Sequence, residues 1–193
     1  MPHLKIAQFE AAYAPFYPNF SHEQFEYYLS EFELAGAPNY LDKLSHGQKK
    51  KALIAFALAT NTQILIMDEP TNGLDIPSKA QFRKAITKYT SEDSAVIIST
   101  HQVRDLENII DPIIILDKQD VLLNASVEEI SSKLFFDYGT QLHPGALYLE
   151  QTPGGCIQVY QNTTGEDSKV NMEALFNAVH QHKEQIKEIF KSC

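Results

Sequence analysis

The sequence predicts an α/β fold built on a parallel sheet, with a helical N-terminal part and a small β-plus-helix appendage at the C-terminus. Three observations predict it. Ile64-Leu65-Ile66-Met67 is a short apolar run that ends in Asp68-Glu69-Pro70, as a strand buried on both faces of a parallel sheet would. Ala95–Thr100 and Ile113–Leu116 repeat that character, with helical patterns between the runs, which implies crossovers and parallel pairing. The first two runs also end in polar residues, at the edge where open α/β sheets place ligands.

The bulk composition fits this class. The chain has 193 residues, 44% hydrophobic and 21% charged, enough for one ordinary domain with an appendage. A formal net charge of −9 argues against a nucleic-acid-binding surface, and Lys49-Lys50-Lys51 is too short a basic cluster to act as one. Cys156 and Cys193 have neither disulfide-framework nor metal spacing, which fits a reducing compartment. No signal peptide precedes His3-Leu4-Lys5-Ile6, and no run approaches the ~20 apolar residues of a membrane helix. The expectation is a soluble, cytoplasmic chain able to dock on a membrane partner.

Residues 1–44 hold half of the chain's 9 Tyr and 11 Phe. Ser21-His22-Glu23-Gln24 has the capping-box pattern and predicts a helix to about Ala35. Phe25, Tyr28, Leu29 and Phe32 share a face of it, which serves either as core or in part as a docking surface for another subunit. Ser45 then caps a helix whose Ala52–Ala59 stretch is apolar nearly all round and hence buried. Three lysines in its first turns oppose the helix dipole. A helix start with Ser45, Gly47 and extra positive charge reads either as a phosphate site or as a plain capped core helix.

After the Ile64–Glu69 strand, Thr71–Asp75 is a polar loop, and Pro77 opens a surface helix to about Tyr89, broken by Ser91-Glu92-Asp93. Ala95–Thr100 is a second buried strand, followed by His101. Gln102–Ile110 reads as a helix stopped by Asp111-Pro112, and Ile113–Leu116 as a third strand. Asp117–Asp120 is a tight turn into Val121-Leu122-Leu123, and Ser126 caps a short helix to about Leu134. In residues 135–193, two strand-like runs, 146–150 and 156–161, flank Thr152-Pro153-Gly154-Gly155. One helix runs from about Met172, with Leu175, Phe176, Val179, Ile186, Ile189 and Phe190 at helical spacing.

Three polar groups stand in order: Ser45/Gly47/Gln48 at a helix start, Asp68-Glu69 at a strand end and His101 at the next strand end. Parallel neighbours lie about 4.8 Å apart, so these ends can converge on one ligand. Carboxylates suit Mg²⁺, a second carboxylate can orient a water, and a histidine can contact phosphate, which together make a candidate phosphoryl-transfer site.

In this order the sequence resembles the ATP-binding-cassette (ABC) transporter ATPases. Leu44-Ser45-His46-Gly47-Gln48 is similar to the family's Leu-Ser-Gly-Gly-Gln signature, with His46 in place of the first Gly. Ile64–Glu69 resembles Walker B with its catalytic glutamate, Gly73-Leu74-Asp75 the D-loop, and His101 the switch histidine. The resemblance spans roughly residues 10–134; the C-terminal part resembles extensions of a bacterial subgroup that serves ABC-2-type exporters. It implies a partial P-loop NTPase fold: residues 1–44 as a remnant of a helical subdomain, 45–134 as the signature-to-switch core and 135–193 as a C-terminal extension.

It also implies roles. Asp68 would hold Mg²⁺ through water, Glu69 would be the general base, and His101 would contact the γ-phosphate. Asp75 would couple two sites of a dimer. Ser45, Gly47 and Gln48 would form the signature surface, Ser45 and Gly47 closing on ATP held by the opposite subunit. The cofactors implied are ATP and Mg²⁺. The partners are a second ABC ATPase subunit, alike or different, and a membrane-spanning permease, at the inner face of the plasma membrane; nucleic acid is not among them.

The family's phosphate loop, Gly-x-x-x-x-Gly-Lys-Ser/Thr, has no counterpart here, because none of the eight glycines is followed by Lys. The reading is therefore an ATP-hydrolysing subunit truncated before that loop and inactive alone. The alternative is a non-hydrolytic partner that supplies its signature in trans. The family's DNA-repair relatives carry long coiled coils, and no heptad run occurs here. Gln8 stands where a Q-loop glutamine could, in a helix-like context.

Overall fold

A computed structural model describes residues 3–35, 40–89 and 94–191. The Ser91–Asp93 helix break and Cys193 lie outside them. The chain divides into two compact units, Met1–Leu106 and Glu107–Cys193.

The first unit opens with α1 (Ile6–Tyr13) and α2 (His22–Glu31). Ser21 Oγ accepts from the Gln24 N–H at 3.2 Å, as the local pattern predicts. Phe25, Tyr28 and Phe32 are buried, so most of this aromatic face is core. α3 (His46–Ala59) lies against α2. Rings of Phe9, Tyr17, Phe20 and Phe25 surround its Phe56, with centroids 5.0, 5.8, 5.0 and 5.8 Å away. Geometries of this kind add to the area buried by each ring.

β1 (Ile64–Asp68), α4 (Ile76–Tyr89) and β2 (Ala95–Ser99) form a β-α-β crossover whose strands pair in parallel, Leu65 opposite Val96 and Asp68 opposite Ser99. Parallel pairing agrees with the sequence reading; burial on both faces does not. Leu65 and Met67 are buried, but Ile64, Ile66 and Ile97 are 61%, 72% and 53% exposed. Successive strand side chains point to opposite faces. A layer on one side of this two-stranded sheet therefore leaves every second residue open.

The predicted helix over Gln102–Ile110 is a single 3₁₀ turn, Val103–Asp105. The Thr100 hydroxyl takes the Gln102 N–H at 2.9 Å, and Asn108, at φ +77°, breaks any continuation.

In the second unit, β3 (Ile113–Asp117) pairs antiparallel with β4 (Asp120–Ala125) across a turn with Lys118 at φ +53°. The third predicted strand thus belongs to a hairpin and not to the parallel sheet, because the turn folds the chain straight back on it. α5 (Val127–Lys133) is capped by Ser126, as predicted, its Oγ accepting from the Glu129 N–H at 3.0 Å. It runs directly into a strand the sequence reading did not contain, β5 (Leu134–Gly139). β5 joins β6 (Tyr148–Thr152) and β7 (Gly155–Gln161) in an antiparallel sheet of order β5-β7-β6.

Within this unit the fully buried Gln158 donates to Asp137 Oδ2 at 2.8 Å and to the Gln141 carbonyl at 2.6 Å, so its polarity is satisfied. The single C-terminal helix expected from the spacing is two, α6 (Met172–Gln181) and α7 (Lys183–Phe190). They break at His182, whose φ of −128° and ψ of 49° leave the helical region. Among the described residues no helix is long and apolar enough to cross a membrane.

The open face of β1 and β2 generates an expectation for solution behaviour. The chain self-associates with rising concentration through Ile64, Ile66 and Ile97, and Ile66→Lys with Ile97→Lys weakens that association in static light scattering. A monomer at all concentrations for the unaltered chain rules this out.

Candidate functional site

The register of β1 against β2 builds the site. Asp68 ends β1 opposite Ser99, and the Ser99 hydroxyl donates to Asp68 Oδ1. One residue on, Glu69 has φ +47°, and its N–H is held by the Ser99 carbonyl at 2.8 Å. That turn brings its carboxylate to the end of β2. Oε1 accepts from the His101 N–H at 2.8 Å and lies 2.6 Å from His101 Nδ1, while the Thr100 hydroxyl donates to Oε2 at 2.9 Å. Burial pushes the Glu69 carboxyl up, but the His101 ring, the His101 N–H and the Thr100 hydroxyl outweigh it and hold it below its ordinary value. Glu69 is half-buried and the His101 side chain is 71% exposed, so the ring can turn outward without repacking the core.

The helix start of α3 carries a reciprocal capping box. Ser45 Oγ accepts from the Gln48 N–H at 3.2 Å and Gln48 Oε1 from the Ser45 N–H at 2.9 Å. The α-helical ladder offers the N–H groups of His46 and Gly47 no acceptor. Ser45 and His46 are exposed. The His46 ring lies over the loop after β1: a Cβ built on Gly73 would meet its Cδ2 at 3.0 Å, and one on Gly47 would meet the Gly73 carbonyl at 3.3 Å. Signature and D-loop segments of the one chain are therefore in contact.

Asp75 is the N-cap of α4, its Oδ1 accepting from the Ser78 N–H at 3.0 Å. Hydrogen bonds from the Ser78 side chain and backbone, with the Lys51 charge, keep its carboxyl low. Gln8 has a local role, accepting from the Lys5 N–H at 2.9 Å at the start of α1.

The structure thus brings Asp68, Glu69 and His101 together and sets Ser45, Gly47 and Gln48 on a separate helix end beside the Gly73 loop. Thr100 and Lys50 are contacts that the sequence reading passed over. Lys50 Nζ donates to the carbonyls of Glu69 at 2.5 Å and Asn72 at 2.8 Å. The sequence signal for Thr100 was its place beside His101; using it required the strand register.

Asp68 fits a magnesium ion that keeps most of its waters. It is an exposed, hard oxygen donor, and among the described residues no group of three or more His, Cys, Asp or Glu could hold a metal directly.

Part of this chain is similar to known proteins. The ABC transporter family profile matches residues 2–72, which include Ser45, Gly47, Gln48, Asp68 and Glu69. Over this stretch the chain is similar to the ABC transporter ATPases. It is 36% identical over 109 residues to the energy-coupling factor transporter ATP-binding protein of Mycoplasmoides gallisepticum, a match covering 54% of this chain and 34% of that protein. It is also 36% identical over 87 residues to the cobalt import ATP-binding protein of Salmonella paratyphi A, covering 45% and 32%. The matched stretch thus spans about a third of each relative. A solved ATP-binding subunit of an ABC transporter superposes with a TM-score of 0.57 at 23% identity, over 66% of this chain and 55% of that one, which shows the shared fold.

Two outcomes test the local geometry of this chain. Gly73→Ala destabilises by about 1–2 kcal/mol in urea unfolding, because φ +78° disfavours a side chain and the His46 ring occupies the space. His46→Gly in the same chain recovers the crowding but not the backbone part. Asp75→Ala lowers the unfolding midpoint at neutral pH. The folded Asp75 carboxyl is depressed, so its stabilisation is present above the unfolded value and vanishes as pH falls through the folded one. The two chains should therefore converge in stability as the pH falls through the lowered range of the folded carboxyl.

Proposed function

We propose that this chain supplies the carboxylate-and-histidine half of ATP hydrolysis in the ATP-binding subunit of a transporter. The convergence of Glu69 and His101 across the β1–β2 register supports this most directly. Glu69 is held ionised and can accept the proton of a water attacking the γ-phosphorus. As the new P–O bond forms, the bond to the β–γ bridging oxygen breaks, and ADP and phosphate leave. His101 exchanges its Glu69 contact for a γ-phosphate oxygen. Asp68 holds Mg²⁺ through water; when bound, the ion neutralises phosphate charge.

In the same reading Ser45, Gly47 and Gln48 close on ATP carried by a second ATPase subunit, and Asp75 with its loop couples the two sites. The exposed Tyr13, Phe16 and Tyr17, beside a recess of about 250 Å³ lined by Ala14, Pro15 and Phe20, are offered to a membrane permease at the cytoplasmic face. One relative is named for cobalt import, and the C-terminal part of this chain resembles exporter extensions. The proposal accordingly names transport and not its direction. In this reading residues 1–44 are a remnant of a helical subdomain, 45–134 the catalytic core and 135–193 a C-terminal extension.

A second reading, a non-hydrolytic partner contributing only its signature, is favoured by the intact capping box at an exposed helix start. Both readings expect no turnover from the 193-residue chain by itself, since its sequence has no phosphate loop. Turnover by the purified chain that Glu69→Gln abolishes would sink that expectation, as would micromolar Mg-ATP affinity in titration calorimetry. In an assembled ATPase containing this chain, Glu69→Gln stops hydrolysis under the first reading and leaves it unchanged under the second, where Ser45→Arg is the damaging change.

A further inference from the structure

We propose that Lys50 is a positioning residue that ties the start of α3 to the carboxylate of Glu69 through the backbone of the loop after β1. The inference rests on Glu69 being the reacting carboxylate, as argued above.

Three consecutive lysines near a helix start oppose the helix dipole. Lys49 Nζ donates to the Asp42 carbonyl at 3.2 Å. Lys50 reaches across to the carbonyls of Glu69 and Asn72. The Glu69 carbonyl also accepts from the Asn72 N–H at 3.2 Å, so the ammonium group closes a turn that the backbone has begun.

Glu69 sits at φ +47°, a conformation a side-chain-bearing residue keeps only when its surroundings over-determine it. Return to negative φ would swing the side chain away from Thr100 and His101. Lys50 is a side-chain contact from outside the strand pair that opposes this return, and a charged donor makes it a strong one. It projects from the helix whose first residues carry Ser45, Gly47 and Gln48. A displacement of that helix start therefore reaches the Glu69 carboxylate through one charge-assisted bond.

The test is hydrogen exchange by NMR on the 193-residue chain. In Lys50→Met, which keeps the apolar stem, the amides of His101 and Asn72 exchange at least about tenfold faster, while the core amides of Phe82 and Leu58 keep their rates. Lys50→Arg restores slow exchange. Unchanged His101 exchange in Lys50→Met overturns the proposal, and so does a uniform acceleration of all amides, which would mark Lys50 as merely structural. If Lys50→Met does not fold, the unaltered chain decides. Its Lys50 ammonium protons should exchange slowly and show couplings to the carbonyl carbons of Glu69 and Asn72; a freely exchanging ammonium overturns the proposal. None of these readouts involves ATP, so their failure is distinct from failure of the hydrolysis reading, which Glu69→Gln in an assembled ATPase addresses.

Discussion

The in-register parallel pairing of β1 with β2 is the constraint on which the candidate site depends. It sets Asp68 opposite Ser99, which in turn puts Glu69 within reach of both the Thr100 hydroxyl and the His101 N–H. A slip of one residue would move every β1 side chain to the other face. Asp68 would then leave the Ser99 hydroxyl, and the Glu69 carboxylate would lose its three donors together. Backbone pairing brings the chemistry together.

The left-handed backbone at Glu69 is the second requirement, and it explains why the site recruits α3. Two adjacent carboxylates on a strand end would ordinarily point to opposite faces. The turn at Glu69 breaks that alternation, so Asp68 stays on the open face beside Ser99 while Glu69 reaches along the end of β2. Lys50 and the Ser99 carbonyl hold the turn from two sides. The same helix start that carries the signature residues therefore also supports the carboxylate, and His46 packs over Gly73 of the same loop. A histidine in place of the family's glycine is accommodated by that packing.

Much of this was legible in the sequence. The Ser45 and Ser126 caps, the apolar run into Asp68-Glu69, the 117–120 turn and the 152–155 turn are local signals, and each stands where the residues placed it. The helix face of Phe25, Tyr28 and Phe32 is likewise core. One error arises because apolar strings do not state their partners. Ile113–Leu116 looks like the runs at 64 and 95, yet it pairs with its own hairpin mate. Residues 102–110 have helical composition but follow a Thr100 hydroxyl that captures the next N–H. β5, rich in Phe and Tyr, lacked alternation clear enough to separate it from the end of α5.

By itself the sequence determined the resemblance to a known family, the order of the motifs that carry it and the residue types available for chemistry, because these depend on local spacing and on side-chain identity. Only the tertiary structure decided which of those residues meet. Register put Asp68-Glu69, first visible as a carboxylate pair at a strand end, into two separate environments: one facing open solvent beside Ser99, the other enclosed by Thr100 and His101. Tertiary structure also gave Lys49 and Lys50 their acceptors and exposed Ile64, Ile66 and Ile97. Those outcomes rest on hydrogen bonds and packing between residues distant in the chain, which no local pattern encodes.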